Sequence, residues 1–150
     1  MSERFFEDFS VGDRFRSADY SVTEGEMVDY ARRYDPQPFH TDPAAATRSF
    51  FGGLVASGWY TAAITMRLIA QSEIRIAGGM IGMGVEQLRW PRPVRPGDIL
   101  HVEAEVLEVR PSRSHADRGI VRVRNTTLSQ RGETVQTMET ALFVPRRRSA

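Results

Sequence analysis

The chain has 150 residues and a mass of 16.9 kDa, a length that suits one domain with its own core. It contains no cysteine, and all 20 basic side chains are arginine. Disulfides, thiol nucleophiles, lysine Schiff bases and a P-loop lysine are therefore excluded. The formal net charge is +1, which provides no general attraction to nucleic acid. We expect no nucleic-acid partner.

No part of the chain predicts a targeting signal or a membrane span. The N-terminus, Met1–Asp8, is charged and lacks an apolar segment. The longest uncharged stretch lies between Arg48 and Arg67, and its apolar part is too short to cross a bilayer. We therefore expect a cytoplasmic protein with no membrane partner.

The N-terminal half predicts one strand and two main helices. Thr23 and Glu26 have the spacing of a capping box, and Pro36 disfavours helical geometry in the residue before it. In chain order, the predicted elements are a strand over 11–21, a helix from Thr23 to Tyr34 or Asp35, a structured loop over 35–53 with a short helix near 43–47, and the most apolar helix over 54–71.

The C-terminal half changes to the period of strands. Val121 and Val123 alternate with Arg122 and Arg124, which is typical of a half-buried antiparallel strand. The four predicted strands cover 80–90, 99–110, 119–130 and 134–144, with a hairpin turn over 131–133 and a flexible tail over 145–150.

This order of elements predicts a single α+β domain over 1–150. One antiparallel sheet wrapped around the long central helix would bury the apolar faces of both. Because such an open sheet has unpaired edges, we expect a homodimer or a higher homo-oligomer.

The loop after the first helix carries the residue types that proton transfer requires. Three prolines restrict its backbone, and it presents Asp35 and His40. A carboxylate and an imidazole held near one water can carry out acid–base chemistry at neutral pH. The alternative is structural: Asp35 would end a helix and His40 would be a core histidine. For Asp42, which precedes Pro43, we favour a helix N-cap.

Glycines lie before and early in the predicted apolar helix, at Gly52, Gly53 and Gly58. They would leave backbone N–H groups free at the helix N-terminus, where the helix dipole stabilises an oxyanion. The alternative is close packing of glycine against a neighbouring backbone. The spacing fits neither a P-loop nor a dinucleotide fingerprint.

The runs YDPQPFHTDP at 34–43, FGGLVASG at 51–58 and RWPRPVRPGD at 89–98 together resemble the MaoC-like dehydratase family. Within it, they are similar to the (R)-specific, hydratase-2-type enoyl-CoA hydratases. The resemblance covers roughly residues 5–144 and implies the hotdog fold. Two positions depart from the pattern: Gln37 stands where many members have Asn, and Ser57 where many have His.

The resemblance implies reversible hydration of a trans-2-enoyl-CoA, or acyl-carrier, thioester to the (R)-3-hydroxyacyl thioester. Asp35 and His40 would then be the catalytic pair. His40 is the favoured proton acceptor, Asp35 orients the water or relays a proton, and the Gly58 N–H is the candidate oxyanion donor. The expected substrate-binding residues are Gln37, Phe39, Ser57 and Trp59.

No cofactor is expected beyond the coenzyme A thioester that serves as substrate. The three histidines, His40, His101 and His115, lack the spacing of metal ligands, so no metal site is predicted.

Two other functions are compatible with the same fold. A hotdog acyl-CoA thioesterase would attack the carbonyl carbon rather than C3 and would release a free thiol. A non-catalytic acyl-thioester-binding module would bind the ligand without turnover.

Overall fold

A computed structural model of the protein describes residues 2–149. It contains six strands, four helices and one short 3-10 turn in that range. In chain order the elements are the 3-10 turn Phe6–Asp8, β1 (Arg14–Arg16), β2 (Tyr20–Ser21), α1 (Glu24–Tyr34), α2 (Pro38–Thr41), α3 (Pro43–Thr47), α4 (Gly58–Ala70), β3 (Ile81–Arg89), β4 (Ile99–Pro111), β5 (Arg118–Leu128) and β6 (Thr134–Pro145).

The strands form one antiparallel sheet in the order β1, β4, β5, β6, β3, with β2 also paired to β4. Helix α4 packs on one face of this sheet. Ile64 and Leu68 of α4 are buried in the same apolar cluster as Leu100 and Val102 of β4 and Val135 of β6. The predicted α+β architecture, a sheet wrapped around a long helix, is confirmed.

The strand predicted over 11–21 is divided into β1 and β2. Between them, the Ser17 hydroxyl accepts a hydrogen bond from the Val102 N–H at 2.8 Å. A side chain thus replaces a backbone acceptor at this point and interrupts the regular ladder.

Helix α1 begins at the predicted cap but lacks the second half of the capping box. Thr23 accepts a hydrogen bond from the Glu26 N–H at 3.3 Å. The Glu26 carboxylate instead accepts hydrogen bonds from Tyr20 at 2.5 Å and from Tyr60 at 2.8 Å. Glu26 therefore ties α1 to β2 and α4.

The apolar helix was predicted from residue 54, but α4 begins only at Gly58. The Val55 N–H donates to Phe39 O and the Ala56 N–H donates to Val94 O. Because these amides are bound by other segments of the chain, residues 54–57 remain outside the helix. The one-turn helix α2 was not predicted. Helix α3 was predicted, and Asp42 caps α3 as expected by accepting hydrogen bonds from two backbone amides.

The four C-terminal strands agree with the prediction to within one or two residues. The structure differs from the flexible tail that was expected over 145–150. Pro145 ends β6, and Arg146 and Arg147 form ion pairs with Glu7 and Asp8. Ala150 lies outside the described residues. None of the helices within 2–149 is both long and apolar enough to span a membrane.

Candidate functional site

The end of α1 and the short helix α2 bring Asp35 and His40 together. Asp35 is the C-cap of α1, and His40 lies in α2, which begins at Pro38. His40 Nε2 lies 3.3 Å from Asp35 Oδ2, and the His40 side chain is buried. The two residues that the sequence singled out as a pair are thus in direct contact.

The other ring nitrogen of His40 determines its tautomer. His40 Nδ1 lies 2.7 Å from the carbonyl oxygen of Val55. Because a carbonyl only accepts hydrogen bonds, Nδ1 carries the proton. In the neutral ring, Nε2 then carries the lone pair and faces Asp35 Oδ2, to which it can donate a hydrogen bond only when the ring is protonated.

Asp35 is held by hydrogen bonds to both carboxylate oxygens. The Ser57 hydroxyl donates to Oδ2 at 2.7 Å, and the Gln37 amide donates to Oδ1 at 2.7 Å. Burial raises the pKa of Asp35, but the hydrogen bonds from Ser57 and Gln37 and the attraction of a protonated His40 together outweigh it. The pKa of Asp35 therefore lies below its ordinary value, and the side chain is ionised at neutral pH.

Ser57 also caps α4. Its side chain is fully buried, and its hydroxyl oxygen accepts a hydrogen bond from the Trp59 N–H at 3.2 Å. One hydroxyl therefore connects Asp35 to the N-terminus of the central helix. The sequence suggested Ser57 as a substrate-binding residue and did not identify it as a cap. The signal for the capping role is a serine immediately before a helix.

Gly58 is the first residue of α4, so no carbonyl of the helix accepts its N–H. The positive end of the helix dipole lies at the same point. A Cβ atom at Gly58 would lie 2.5 Å from the Trp90 ring. The alternative of close packing is therefore also correct, although the neighbour is an indole ring and not a backbone segment. The role of the Gly58 N–H as an oxyanion donor stays a prediction.

Two cavities adjoin this helix N-terminus. One, of about 400 Å³, is lined by Phe39, His40, Gly58 and Trp90, among others. The Phe39 ring packs against His40 with 4.6 Å between the ring centroids. The exposed Trp59 ring contacts Trp90 with 5.2 Å between centroids and lines the second cavity.

The second cavity, of about 540 Å³, lies between α4 and strands β3, β5 and β6. It follows one face of α4 through Trp59, Ala62, Met66 and Ile69. A rise of 1.5 Å per residue gives this face a length of about 15 Å. The volume is within the range of small-molecule sites.

The other two histidines lie outside this constellation. His101 is in β4, where its Nε2 is 3.6 Å from Glu103, and His115 is exposed in the loop before β5. Within residues 2–149, no three His, Asp or Glu side chains are grouped as a metal site would require.

Comparisons with known proteins assign the chain to one domain family. Residues 8–129 match the family model described as "MaoC like domain". The chain is 31% identical over 113 residues to the 3-hydroxybutyryl-CoA dehydratase of Methylorubrum extorquens, covering 75% of this chain and 69% of that protein.

Solved structures show the same fold. The MaoC-like dehydratase from Rhodospirillum rubrum superposes with a TM-score of 0.93 at 53% identity, covering 97% of this chain and 99% of that one. The R-hydratase PhaJ1 from Pseudomonas aeruginosa gives a TM-score of 0.78 at 29% identity, covering 95% and 86%. The fold is the hotdog fold that the resemblance implied, and the chain belongs to the MaoC-like domain family.

Proposed function

We propose that the protein adds water reversibly across the C2–C3 double bond of a trans-2-enoyl thioester to give the (R)-3-hydroxyacyl thioester. The observation that carries this proposal is the Asp35–His40 contact beside the helix N-terminus at Gly58. The names of two relatives, a 3-hydroxybutyryl-CoA dehydratase and an R-hydratase, support the same class of reaction.

The reaction begins with a water bound beside the Asp35–His40 pair. His40 Nε2 takes a proton from this water while the water oxygen bonds to C3. The electrons of the C2–C3 double bond move toward the thioester oxygen. The Gly58 N–H and the dipole of α4 stabilise the resulting enolate. The proton is then delivered through the pair to C2, which restores the neutral imidazole. Asp35 stays ionised and orients the water.

The two cavities offer separate places for the two parts of a thioester. We assign the acyl chain to the 540 Å³ cavity that begins at Trp59, immediately after Gly58. Phe39 and Gln37 flank the reacting pair, with Gln37 acting through Asp35. The thioester belongs to CoA or to an acyl carrier, and the acid–base steps require no metal or redox cofactor.

The proposed active form is a homodimer. Strand β3 lies at the edge of the sheet, where β6 is its one partner within residues 2–149, and Ile81, Met83 and Val85 along it are each at least half exposed. An apolar, unpaired edge favours pairing with a second chain. The edges of two copies would then form one continuous sheet.

The test is a spectrophotometric assay with crotonyl-CoA. We expect loss of the enoyl-thioester absorbance without release of free thiol. His40→Ala should lower kcat by about 10²–10⁴-fold, the usual contribution of general acid–base catalysis. His115→Ala, which removes an exposed histidine away from the site, is the matched control and should keep wild-type activity.

Each other outcome indicates another function. Release of free thiol would indicate a thioesterase. Binding of enoyl-CoAs without turnover across a panel of longer and branched chains would indicate a binding module. Wild-type rates in folded His40→Ala would show that the assignment of the catalytic pair is wrong.

A further inference from the structure

A series of hydrogen bonds between buried side chains runs from the sheet through α4 to Trp90. Thr127 of β5, Thr65 of α4 and Gln136 of β6 are each 0% exposed. The hydroxyl oxygens of Thr127 and Thr65 are 2.7 Å apart, and Gln136 Nε2 donates to Thr65 Oγ1 at 3.2 Å. The Trp90 indole N–H donates to Gln136 Oε1 at 2.8 Å. Because an indole nitrogen only donates, this last bond sets the orientation of the Gln136 amide.

A β-bulge in β6 brings Gln136 into this position. The pairing with β5 shifts after Thr127 and Gln136, and Val135 is left as the extra residue on β6. Val135 and Gln136 are consecutive, yet both are buried, whereas the regular alternation of a strand would turn one of them outward. Val135 lines the 400 Å³ cavity of the candidate site. Bulges redirect side chains and are frequent next to active sites, which agrees with the place of this one.

Trp90, at the end of this series, forms part of the wall of the candidate site. Its ring lies so close to Gly58 that a Cβ atom there would be 2.5 Å from the ring. The ring also lines the 400 Å³ cavity together with His40. Because Trp90 is 40% exposed, its indole N–H would find water if the ring turned outward. The bond to Gln136 therefore favours the inward position, against Gly58.

We propose that Gln136 is a positioning residue for the reaction and acts through Trp90. By accepting the indole N–H, Gln136 holds the ring against Gly58, and the ring fixes where the thioester carbonyl lies relative to the Gly58 N–H. The inference rests on the proposed function, which places the enolate oxygen at that N–H. An oxyanion is stabilised by donors that are already in position, so a Trp90 ring that is free to turn should weaken this stabilisation.

Steady-state kinetics with crotonyl-CoA test this role. Gln136→Leu removes the acceptor, and we expect kcat to fall about tenfold, the factor that corresponds to one net hydrogen bond. KM should stay nearly unchanged, because the enolate charge develops only in the transition state. Trp90→Phe keeps a ring beside Gly58 but has no N–H, and it should lower kcat to a similar extent. The two substitutions together should lower kcat no further than either one alone.

Thr127→Val is the matched control. It removes the hydroxyl at the other end of the same buried series and leaves the bond between Gln136 and Trp90 in place. Both Thr127→Val and Gln136→Leu should unfold at lower denaturant concentration than the wild type, because each removes a partner from a buried polar group. Only Gln136→Leu should lower kcat. An equal fall of kcat in Thr127→Val would show a general effect of lost stability and would overturn the role of Gln136.

A spectroscopic measurement reports the same position without turnover. Saturated butyryl-CoA with an isotopic label at the thioester carbonyl is bound to each variant, and the carbonyl stretching band is recorded by infrared difference spectroscopy. A hydrogen bond from the Gly58 N–H lowers the frequency of this band in the wild type. We expect Gln136→Leu to shift the band back toward its value in free butyryl-CoA, and Thr127→Val to leave it in place.

The outcomes separate this inference from the proposed function. An unchanged kcat in folded Gln136→Leu, or a carbonyl band that does not move, would overturn the role of Gln136. So would a wild-type band at the frequency of free butyryl-CoA. A band that moves in Gln136→Leu and Trp90→Phe, together with no hydration of any enoyl-CoA by the wild type, would keep Gln136 as the residue that positions the thioester and reject only the hydration.

Discussion

Ser57 shows how much one hydroxyl can connect in this site. It donates to Asp35 Oδ2 and accepts from the Trp59 N–H, so it links the carboxylate to the helix end that carries Gly58. In this chain, serine is compatible with the same pair because its short side chain reaches both groups.

Ser57→Ala should change both stability and the pH profile of hydration. Loss of the cap should lower the free energy of unfolding by about 1 kcal/mol. Loss of the hydrogen bond to Oδ2 should raise the pKa of Asp35, so the acidic limb of the kcat profile should move to higher pH. Thr23→Ala, which removes the cap of α1, is the control: it should lower stability and leave the profile in place.

Asp35 should also make stability depend on pH. Its native pKa is lower than in the unfolded chain, so the stabilisation is complete above the unfolded value and is lost as pH falls through the native value. We expect Asp35→Asn to reduce this acid-induced loss in urea titrations at a series of pH values. Asp29→Asn removes an exposed carboxylate from α1 and is the control. An unchanged acid dependence in Asp35→Asn would contradict the lowered pKa.

At the scale of elements, the start of α4 positions the site. Its delayed beginning at Gly58 depends on residues 54–57 being bonded to Phe39 and Val94. The apolar composition of 54–71 predicted a longer helix because periodicity does not reveal tertiary competitors for backbone amides. The Trp90 ring then requires glycine at the first helical position.

Gly58→Ala and Gly25→Ala provide a matched pair of helical substitutions. A Cβ at Gly58 would overlap the Trp90 ring, whereas one at Gly25 in α1 would have no atom within 4 Å apart from its chain neighbours and the backbone of its own helix. We expect Gly58→Ala to lower the free energy of unfolding by about 1–3 kcal/mol and Gly25→Ala to raise it by about 0.4–1 kcal/mol. Chemical denaturation would measure both, and a stable Gly58→Ala would show that Trp90 can move.

At the scale of the whole molecule, β3 is the least buried strand of the sheet. Almost all of its residues are exposed, although three of them are large and apolar. A single copy cannot bury these side chains, which is the physical reason for expecting a second copy at this edge.

A charge on β3 should therefore dissociate the dimer. Ile81→Glu places a carboxylate on the apolar edge, and we expect sedimentation to show a shift toward monomer at micromolar concentration. Val11→Glu changes a similarly exposed apolar residue in a turn that is distant from β3 in the sequence. It should not shift the distribution between monomer and dimer. A monomeric wild type would refute the dimer at once.

The sequence by itself determined the α+β order of elements, the four C-terminal strands and the Asp35 and His40 pair. These follow from local periodicity, proline positions and motif spacing, which act over a few residues. Only the tertiary structure decided the start of α4, the bond from Ser57 to Asp35 and the contact of Gly58 with Trp90. Each of these depends on segments distant in the chain meeting in space, and local pattern carries no information about such contacts.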